Sequence, residues 1–125
     1  MLSARKYYTL NEMAIPGLNV KELRTEQRKV FRCPATVMSP TNYPQAGRTI
    51  DISSKGISVM LDKHLSAGDQ YTISFNTTLG NQLVSVNASA RLVYSICVGT
   101  SGFRTGFQFG TLDARTAQVI KQLSL

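Results

Sequence analysis

The chain has 125 residues, with 14 Lys and Arg against 7 Asp and Glu, so its formal net charge is +7. This length allows one domain, and 42% hydrophobic residues suffice for a buried core. One histidine and two cysteines (His64, Cys33 and Cys97) exclude a self-contained zinc site, which needs more ligands. The basic balance predicts an anionic partner. Because no apolar run could span a membrane and no secretion signal is present, we expect a cytoplasmic protein with reduced thiols.

The basic charge is concentrated near the N-terminus, since residues 1–32 hold seven of the fourteen Lys and Arg. Residues 1–20 lack a regular hydrophobic period, and we expect them to form an extension. Residues 21–33 form a basic, arginine-containing arm, which like-charge repulsion should keep mobile. A helix capped by Asn19 would place Arg24, Arg28 and Arg32 on one face.

Residues 34–125 are predicted to form a β-barrel domain with a C-terminal helix. Apolar and polar residues alternate in six runs separated by turn residues: 35–38, 48–53, 57–62, 71–76, 84–96 and 103–109. Six strands with no helix between them predict an all-β fold, either an antiparallel barrel or a sandwich. The same alternation places Tyr94 and Ile96 inside and Ser58 outside. Asp113 is expected to cap a helix with Ala117, Ile120 and Leu123 on its apolar face.

The chain offers no residue combination typical of catalysis. His64 is expected in an exposed loop, and both cysteines are expected to pack as small apolar groups. The acidic residues lack a paired spacing, and the glycine-rich segment 99–102 is expected to be a hairpin loop. The sequence therefore predicts a binding protein that is not an enzyme and needs no cofactor.

One candidate binding motif is the pair Arg28-xxx-Arg32, which directly precedes the first barrel strand. On a helix or in an extended segment, two guanidinium groups at this spacing can approach one doubly anionic ligand. Arginine binds phosphate and the Hoogsteen edge of guanine with paired hydrogen bonds. The alternative interpretation is a solvated basic linker.

The second candidate motif is Asp51-x-Ser53-xx-Gly56. Asp51 and Ser53 share one face of a strand, where a carboxylate and a hydroxyl suit the N1–H and N2–H donors of guanine. Gly56 is expected to adopt a positive φ where the chain reverses. The alternative is an ordinary polar turn in which Asp51 or Ser53 bonds its own backbone.

Together, the two motifs resemble the PilZ domain, the bacterial receptor module for cyclic di-GMP. The resemblance covers about residues 24–125 and includes Gly68, residues 90–93 and residues 105–109 before the terminal helix. It implies a six-stranded antiparallel split barrel with a C-terminal helix, in agreement with the strand count. It also implies second-messenger signalling as the setting.

The resemblance implies a role for each motif residue. Arg28 and Arg32 would hold the phosphates and a guanine edge, whereas Asp51 and Ser53 would read the base. Gly56 would leave room for the base to lie close. Many family members carry a further arginine where this chain has Gln27, and we therefore expect one ligand per chain rather than a stacked pair.

The resemblance predicts a receptor that couples cyclic di-GMP binding to a conformational change and to regulation of an unidentified downstream protein. Motility, pili, biofilm formation and virulence are all compatible outputs. One alternative is a nucleotide-independent PilZ-type protein adaptor. Another is a small basic barrel for single-stranded nucleic acid, which needs exposed aromatic platforms. The pattern disfavours this second alternative, because it places three phenylalanines inside and three tyrosines in loops or the extension: Phe75, Phe107, Phe109, Tyr7, Tyr8 and Tyr43.

Overall fold

The computed structural model describes residues 27–41 and 43–125. The strands in this part of the chain are β1 (Lys29–Val30), β2 (Pro34–Met38), β3 (Gln45–Ile52), β4 (Gly56–Leu61), β5 (Gln70–Leu79), β6 (Gln82–Cys97) and β7 (Phe103–Phe109). One α-helix, α1 (Ala114–Leu123), follows them, and a short 3-10 turn at Gly99–Ser101 joins β6 to β7. None of the helices described in these two ranges is long and apolar enough to cross a membrane.

Six of the strands form a closed antiparallel ring in the order β3-β2-β5-β6-β7-β4, which pairing between β3 and β4 closes. The predicted six-stranded barrel with a C-terminal helix is therefore confirmed. The short strand β1 is an addition to the predicted set. It pairs with β3 through Lys29↔Ile52 and Val30↔Asp51, and β2 pairs with the preceding part of β3, beginning at Pro34↔Arg48.

The end of the basic arm belongs to this sheet. The Phe31 amide donates to the Ile50 carbonyl at 3.1 Å, and the Thr49 amide donates to the Cys33 carbonyl at 2.9 Å. Phe31 and Cys33 also pack against the core. The sequence predicts a helix or a mobile arm here, whereas residues 29–33 lie along β3, because backbone pairing and two inward side chains favour the extended form. The proposed helix start at Asn19, together with Arg24 and the extension 1–20, lies outside the described residues.

Strand alternation predicts the core well, except where a strand is buried on both faces or changes register. The inner residues of β2, β4 and β5 are buried as expected: Ala35, Val37, Ile57, Val59, Leu61, Tyr71, Ile73 and Phe75. Ser58 is also fully buried, contrary to expectation. Tyr94 is only half-buried and Ile96 is 56% exposed. A register shift between Leu92 and Tyr94 exchanges the two faces of β6 at this point.

Helix α1 begins after Asp113 as predicted, with the Asp113 carboxylate accepting from the Thr116 amide at 2.7 Å. Its most buried residues are Thr116 and Ile120, one helical turn apart. Val119 and Leu123 are partly buried against the core. Ala117 is exposed, so its predicted inward position is wrong.

The two cysteines differ in environment. Cys33 is half-buried against the core, and burial raises the pKa of its thiol, a combination typical of a structural cysteine. Cys97 is exposed, contrary to the packed position that the sequence suggests. His64 is exposed as predicted and makes an edge contact with Phe103.

Candidate ligand-binding site

The turn between β3 and β4 is held from inside by Ser53. Its hydroxyl accepts hydrogen bonds from the amides of Lys55 and Gly56, at 3.2 and 3.1 Å. The Ser53 amide donates to the Gly56 carbonyl at 2.9 Å, and Ser53 has no exposed surface. The hydroxyl thus bonds its own backbone, as in the polar-turn interpretation of the motif.

Gly56 serves close packing rather than an unusual backbone angle. The positive φ that the sequence suggests is not present, since the described glycines with positive φ are Gly68, Gly80, Gly99 and Gly102. A Cβ at Gly56 would instead overlap the carbonyl oxygen of Phe107 on β7. Glycine is required here because β4 and β7 approach each other closely at the start of β4.

Asp51 lies between two arginines. Its Oδ1 accepts from Arg28 Nη1 at 3.0 Å, and its Oδ2 accepts from Arg104 Nη2 at 3.0 Å. The Asp51 side chain is only 14% exposed, against 27% for Arg28 and 40% for Arg104. The pairing of β1 with β3 brings Arg28 to Asp51, whereas Arg104 reaches it from β7 across β4. The structure therefore joins one residue from each sequence motif through a charged hydrogen bond.

Tyr94 on β6 lies beside Arg104. The Tyr94 hydroxyl beside the guanidinium is the main cause that raises the pKa of Arg104, and Asp51 also contributes. The same hydroxyl lies 3.3 Å from the Ser58 hydroxyl. The Tyr94 ring packs on the backbone of Gly106, where any Cβ would overlap it. Arg104 thus carries a positive charge, donates to Asp51 on β3 and has the Tyr94 hydroxyl beside it.

A cleft of about 410 Å³ opens on the outer surface of the barrel beside this network. Arg28 and Lys55 line it with positive charge, and Tyr94 and Gln108 add a hydroxyl and an amide. Gly56 forms part of its wall. The volume falls in the usual range for small-molecule sites, about 300–1,000 Å³. Two cations with polar neighbours suit an anionic ligand that also carries hydrogen-bonding groups.

The structure brings some of the predicted site residues together and leaves others apart. Arg28 and Gly56 line the cleft, and Asp51 adjoins it through its bond to Arg28. Ser53 is buried in the turn that presents Lys55 to the cleft. Arg32 and Gln27 are exposed and lie outside the lining.

Sequence reasoning missed four residues of this region. Lys55 lies inside the second motif, so its position next to Gly56 could have indicated it. Tyr94 was hidden because simple alternation places it in the core. Arg104 and Gln108 occupy outward positions of β7, and nothing local in the sequence separates them from ordinary surface residues. Within the described ranges, no group of three or more His, Cys, Asp or Glu residues could hold a metal ion.

These features define a small closed β-barrel domain with a cationic binding cleft beside its β3–β4 turn. The family model of the PilZ domain matches residues 22–125, and the chain belongs to the PilZ domain family. A search of curated proteins finds no match to this sequence.

Solved structures with the same fold include one inhibitor of motility and two PilZ domains. The inhibitor of motility MotI (DgrA) from Bacillus subtilis matches with a TM-score of 0.67 and 17% identity, covering 79% of this chain and 48% of that chain. The chain thus spans about half the length of MotI. The PilZ domain of YcgR from Escherichia coli with c-di-GMP matches with a TM-score of 0.62 and 15% identity, over 82% of this chain and 88% of that one.

The PilZ domain of CeSA from a cellulose-synthesising bacterium matches with a TM-score of 0.56 and 17% identity, over 78% of this chain and 94% of that one. At these identities the likenesses show the fold alone.

Proposed function

We propose that this chain is a bacterial receptor for cyclic di-GMP, which converts binding of the second messenger into regulation of a partner protein. The observation that carries the proposal is the bond between Arg28 and Asp51 at the edge of a cationic cleft. It unites the first residues of the two motifs, which lie 23 positions apart in the sequence. Membership of the PilZ family and the fold shared with YcgR, which was solved with c-di-GMP, add support.

Each site residue has a physical role in this proposal. Arg28 and Arg32 bind the two phosphates and a guanine Hoogsteen edge, since their forked donors match both groups. Asp51 accepts the N1–H and N2–H of guanine. Ser53 acts from beneath by fixing the turn, and Gly56 leaves space above β4 for the base. Lys55 adds a second positive charge to the cleft beside that of Arg28.

The conformational response begins at the arm. A ligand with two negative charges attracts Arg28 and Arg32 and offsets the repulsion among the arm's cations. Because Arg28 directly precedes β1, its movement onto the ligand also moves the chain before it. The surface formed in this way, together with residues 1–20, then binds or releases a downstream protein. The likeness to MotI makes motility one candidate output.

One alternative function is a nucleotide-independent adaptor. The ion pairs of Asp51 favour this alternative, because two guanidinium groups of the chain already neutralise its carboxylate. Such an ion pair could serve folding alone. Single-stranded nucleic-acid binding has less support, because Phe75 and Phe107 are buried in the core and cannot act as stacking platforms.

Calorimetric titration of cyclic di-GMP into the purified chain, with GTP as the control ligand, tests the proposal. Saturable binding at micromolar or lower concentration, absent for GTP, is the expected result. Absence of both heat and a shift in melting temperature would contradict the receptor function. The adaptor alternative would then be tested by a search for a protein partner.

A further inference from the structure

We propose that Arg104 is a positioning residue for guanine recognition, which keeps the Asp51 carboxylate aligned with the base after Arg28 moves onto the ligand. The inference rests on the proposed cyclic di-GMP function and adds a residue outside both sequence motifs. Arg104 acts through Asp51 and does not itself bind the ligand.

The hydrogen-bonding capacity of Asp51 permits this role. Each of its oxygens accepts one guanidinium hydrogen bond at 3.0 Å, from Arg28 and from Arg104. A carboxylate offers about four lone-pair sites, two on each oxygen. One site therefore remains on each oxygen, and two adjacent acceptors match the adjacent N1–H and N2–H donors of guanine.

The two arginines are not equally fixed. Arg104 lies within β7, where its backbone pairs with Met60 on β4 and Ile96 on β6. The Tyr94 side chain, whose ring packs on the backbone of Gly106, lies beside its guanidinium, and the Tyr94 hydroxyl is 3.3 Å from the Ser58 hydroxyl. Arg28, in contrast, precedes a strand of only two residues. When the phosphates attract Arg28, Arg104 continues to hold Oδ2 and so fixes the orientation of the carboxylate.

This arrangement affects base selectivity more than phosphate affinity. Adenine has an acceptor at N1 and one amino group at N6, so it cannot donate two adjacent hydrogen bonds to Asp51. Discrimination between cyclic di-GMP and cyclic di-AMP therefore depends on the orientation of Asp51. Loss of Arg104 should weaken this discrimination, because the freed carboxylate can rotate or turn toward solvent.

The test is calorimetry with both cyclic dinucleotides on Arg104→Met and Arg104→Lys, with Arg115→Met as the control. Arg115 is an exposed arginine on α1, so its substitution removes the same charge away from the cleft. We expect Arg104→Met to lower cyclic di-GMP affinity by about ten- to a hundredfold and to narrow its preference over cyclic di-AMP. Arg104→Lys should recover part of the loss, since it keeps the charge without the fork.

A double-mutant cycle with Asp51→Asn separates positioning from direct contact. If Arg104 acts through Asp51, Arg104→Met should have little further effect in the Asp51→Asn background. Equal losses for both ligands that persist in that background would indicate a direct phosphate contact and overturn the inference. Unchanged affinity and preference in Arg104→Met would overturn it too, while leaving the proposed function intact. A wild-type chain that does not bind cyclic di-GMP overturns both.

Tyr94→Phe provides a second variant should Arg104→Met fold poorly. It removes the hydroxyl beside the guanidinium and keeps the ring that packs on Gly106. We expect a smaller loss of preference for cyclic di-GMP, in the same direction. If Arg104→Met does not fold, an unchanged preference for cyclic di-GMP in both Arg104→Lys and Tyr94→Phe would overturn the inference.

Discussion

Arg28 and Asp51 are 23 residues apart in sequence, yet Arg28 Nη1 donates to Asp51 Oδ1 at 3.0 Å. The pair forms because β1 runs antiparallel to β3 and places Val30 opposite Asp51. The bond connects the basic arm to the barrel at the point where the cleft opens. A ligand that competes for Arg28 therefore acts on β1 and on the chain before it.

The first prediction concerns the two motif arginines. Arg28→Ala and Arg32→Ala should each lower the affinity for cyclic di-GMP by about tenfold or more, because each removes charge-assisted hydrogen bonds. Calorimetry measures this effect, and Arg115→Ala on α1 is the matched control. Unchanged binding in both arm variants would show that the motif does not form the site.

The second prediction separates the structural role of Ser53 from ligand contact. Ser53→Ala should lower the free energy of unfolding by about 1–3 kcal/mol, because two amides in the turn lose their buried acceptor. Ser54→Ala, at the exposed neighbouring position, should change it by less than about 0.5 kcal/mol. Urea unfolding provides both values, and equal stability of the two variants would contradict the structural role.

The third prediction concerns Gly56. Gly56→Ala should destabilise the barrel more than Ser53→Ala does, because the new Cβ would overlap the Phe107 carbonyl and force β4 away from β7. Thermal unfolding monitored by circular dichroism measures the loss. A variant as stable as wild type would mean that the two strands can separate at low cost. The requirement for glycine at position 56 would then have to come from ligand binding alone.

The fourth prediction concerns stoichiometry. Gln27 is exposed directly before Arg28, where a further arginine would add a guanidinium next to the first motif arginine. We expect wild type to bind one cyclic di-GMP per chain. In Gln27→Arg, the ratio should shift toward two ligands per chain. Calorimetry reports the ratio directly. Two ligands per wild-type chain would count against a role for Gln27.

The fifth prediction is a pH dependence at the start of α1. Hydrogen bonds from Thr116 lower the pKa of Asp113 in the folded chain. A lowered pKa stabilises the fold above the unfolded-state value, near pH 4, and this contribution is lost as the pH falls through the folded value. Asp113→Asn keeps a capping acceptor but cannot titrate.

Urea unfolding of wild type and Asp113→Asn between pH 7 and pH 2 measures this effect. The stability advantage of wild type should shrink as the pH falls below about 4. An advantage that stays constant or grows toward acid pH would mean that the carboxylate does not carry the capping energy. Other carboxylates titrate in both proteins, and their contributions cancel in the difference.

Local patterns in the sequence were enough to predict the barrel. Side chains alternate between the two faces of a strand, so the apolar positions of β2, β4 and β5 could be placed inside without knowledge of the partner strands. Turn residues marked where the strands end, and Asp113 marked the start of α1. These features depend on neighbours within a few residues of each other in sequence.

The same reasoning failed where neighbours in space decide the outcome. The register shift after Leu92 turned Tyr94 and Ile96 toward the outside, and a one-residue shift is invisible in a two-residue repeat. Ser58 is buried because its strand is covered on its outer side by Tyr94. The end of the arm joins the sheet because β3 extends beyond the part that pairs with β2. The backbone of β3 at Asp51 and Ile52 is therefore available to pair with β1.

The candidate site also combines features set by the local sequence with features set by neighbours in space. The sequence by itself determined the two motifs and the family that they resemble, since these depend on residue type and spacing along the chain. Only the tertiary structure decided that Arg104, 53 residues away from Asp51, holds the second carboxylate oxygen. That contact arises when β4 and β7 pair to complete the barrel, and closure of a ring of strands depends on all of its registers together.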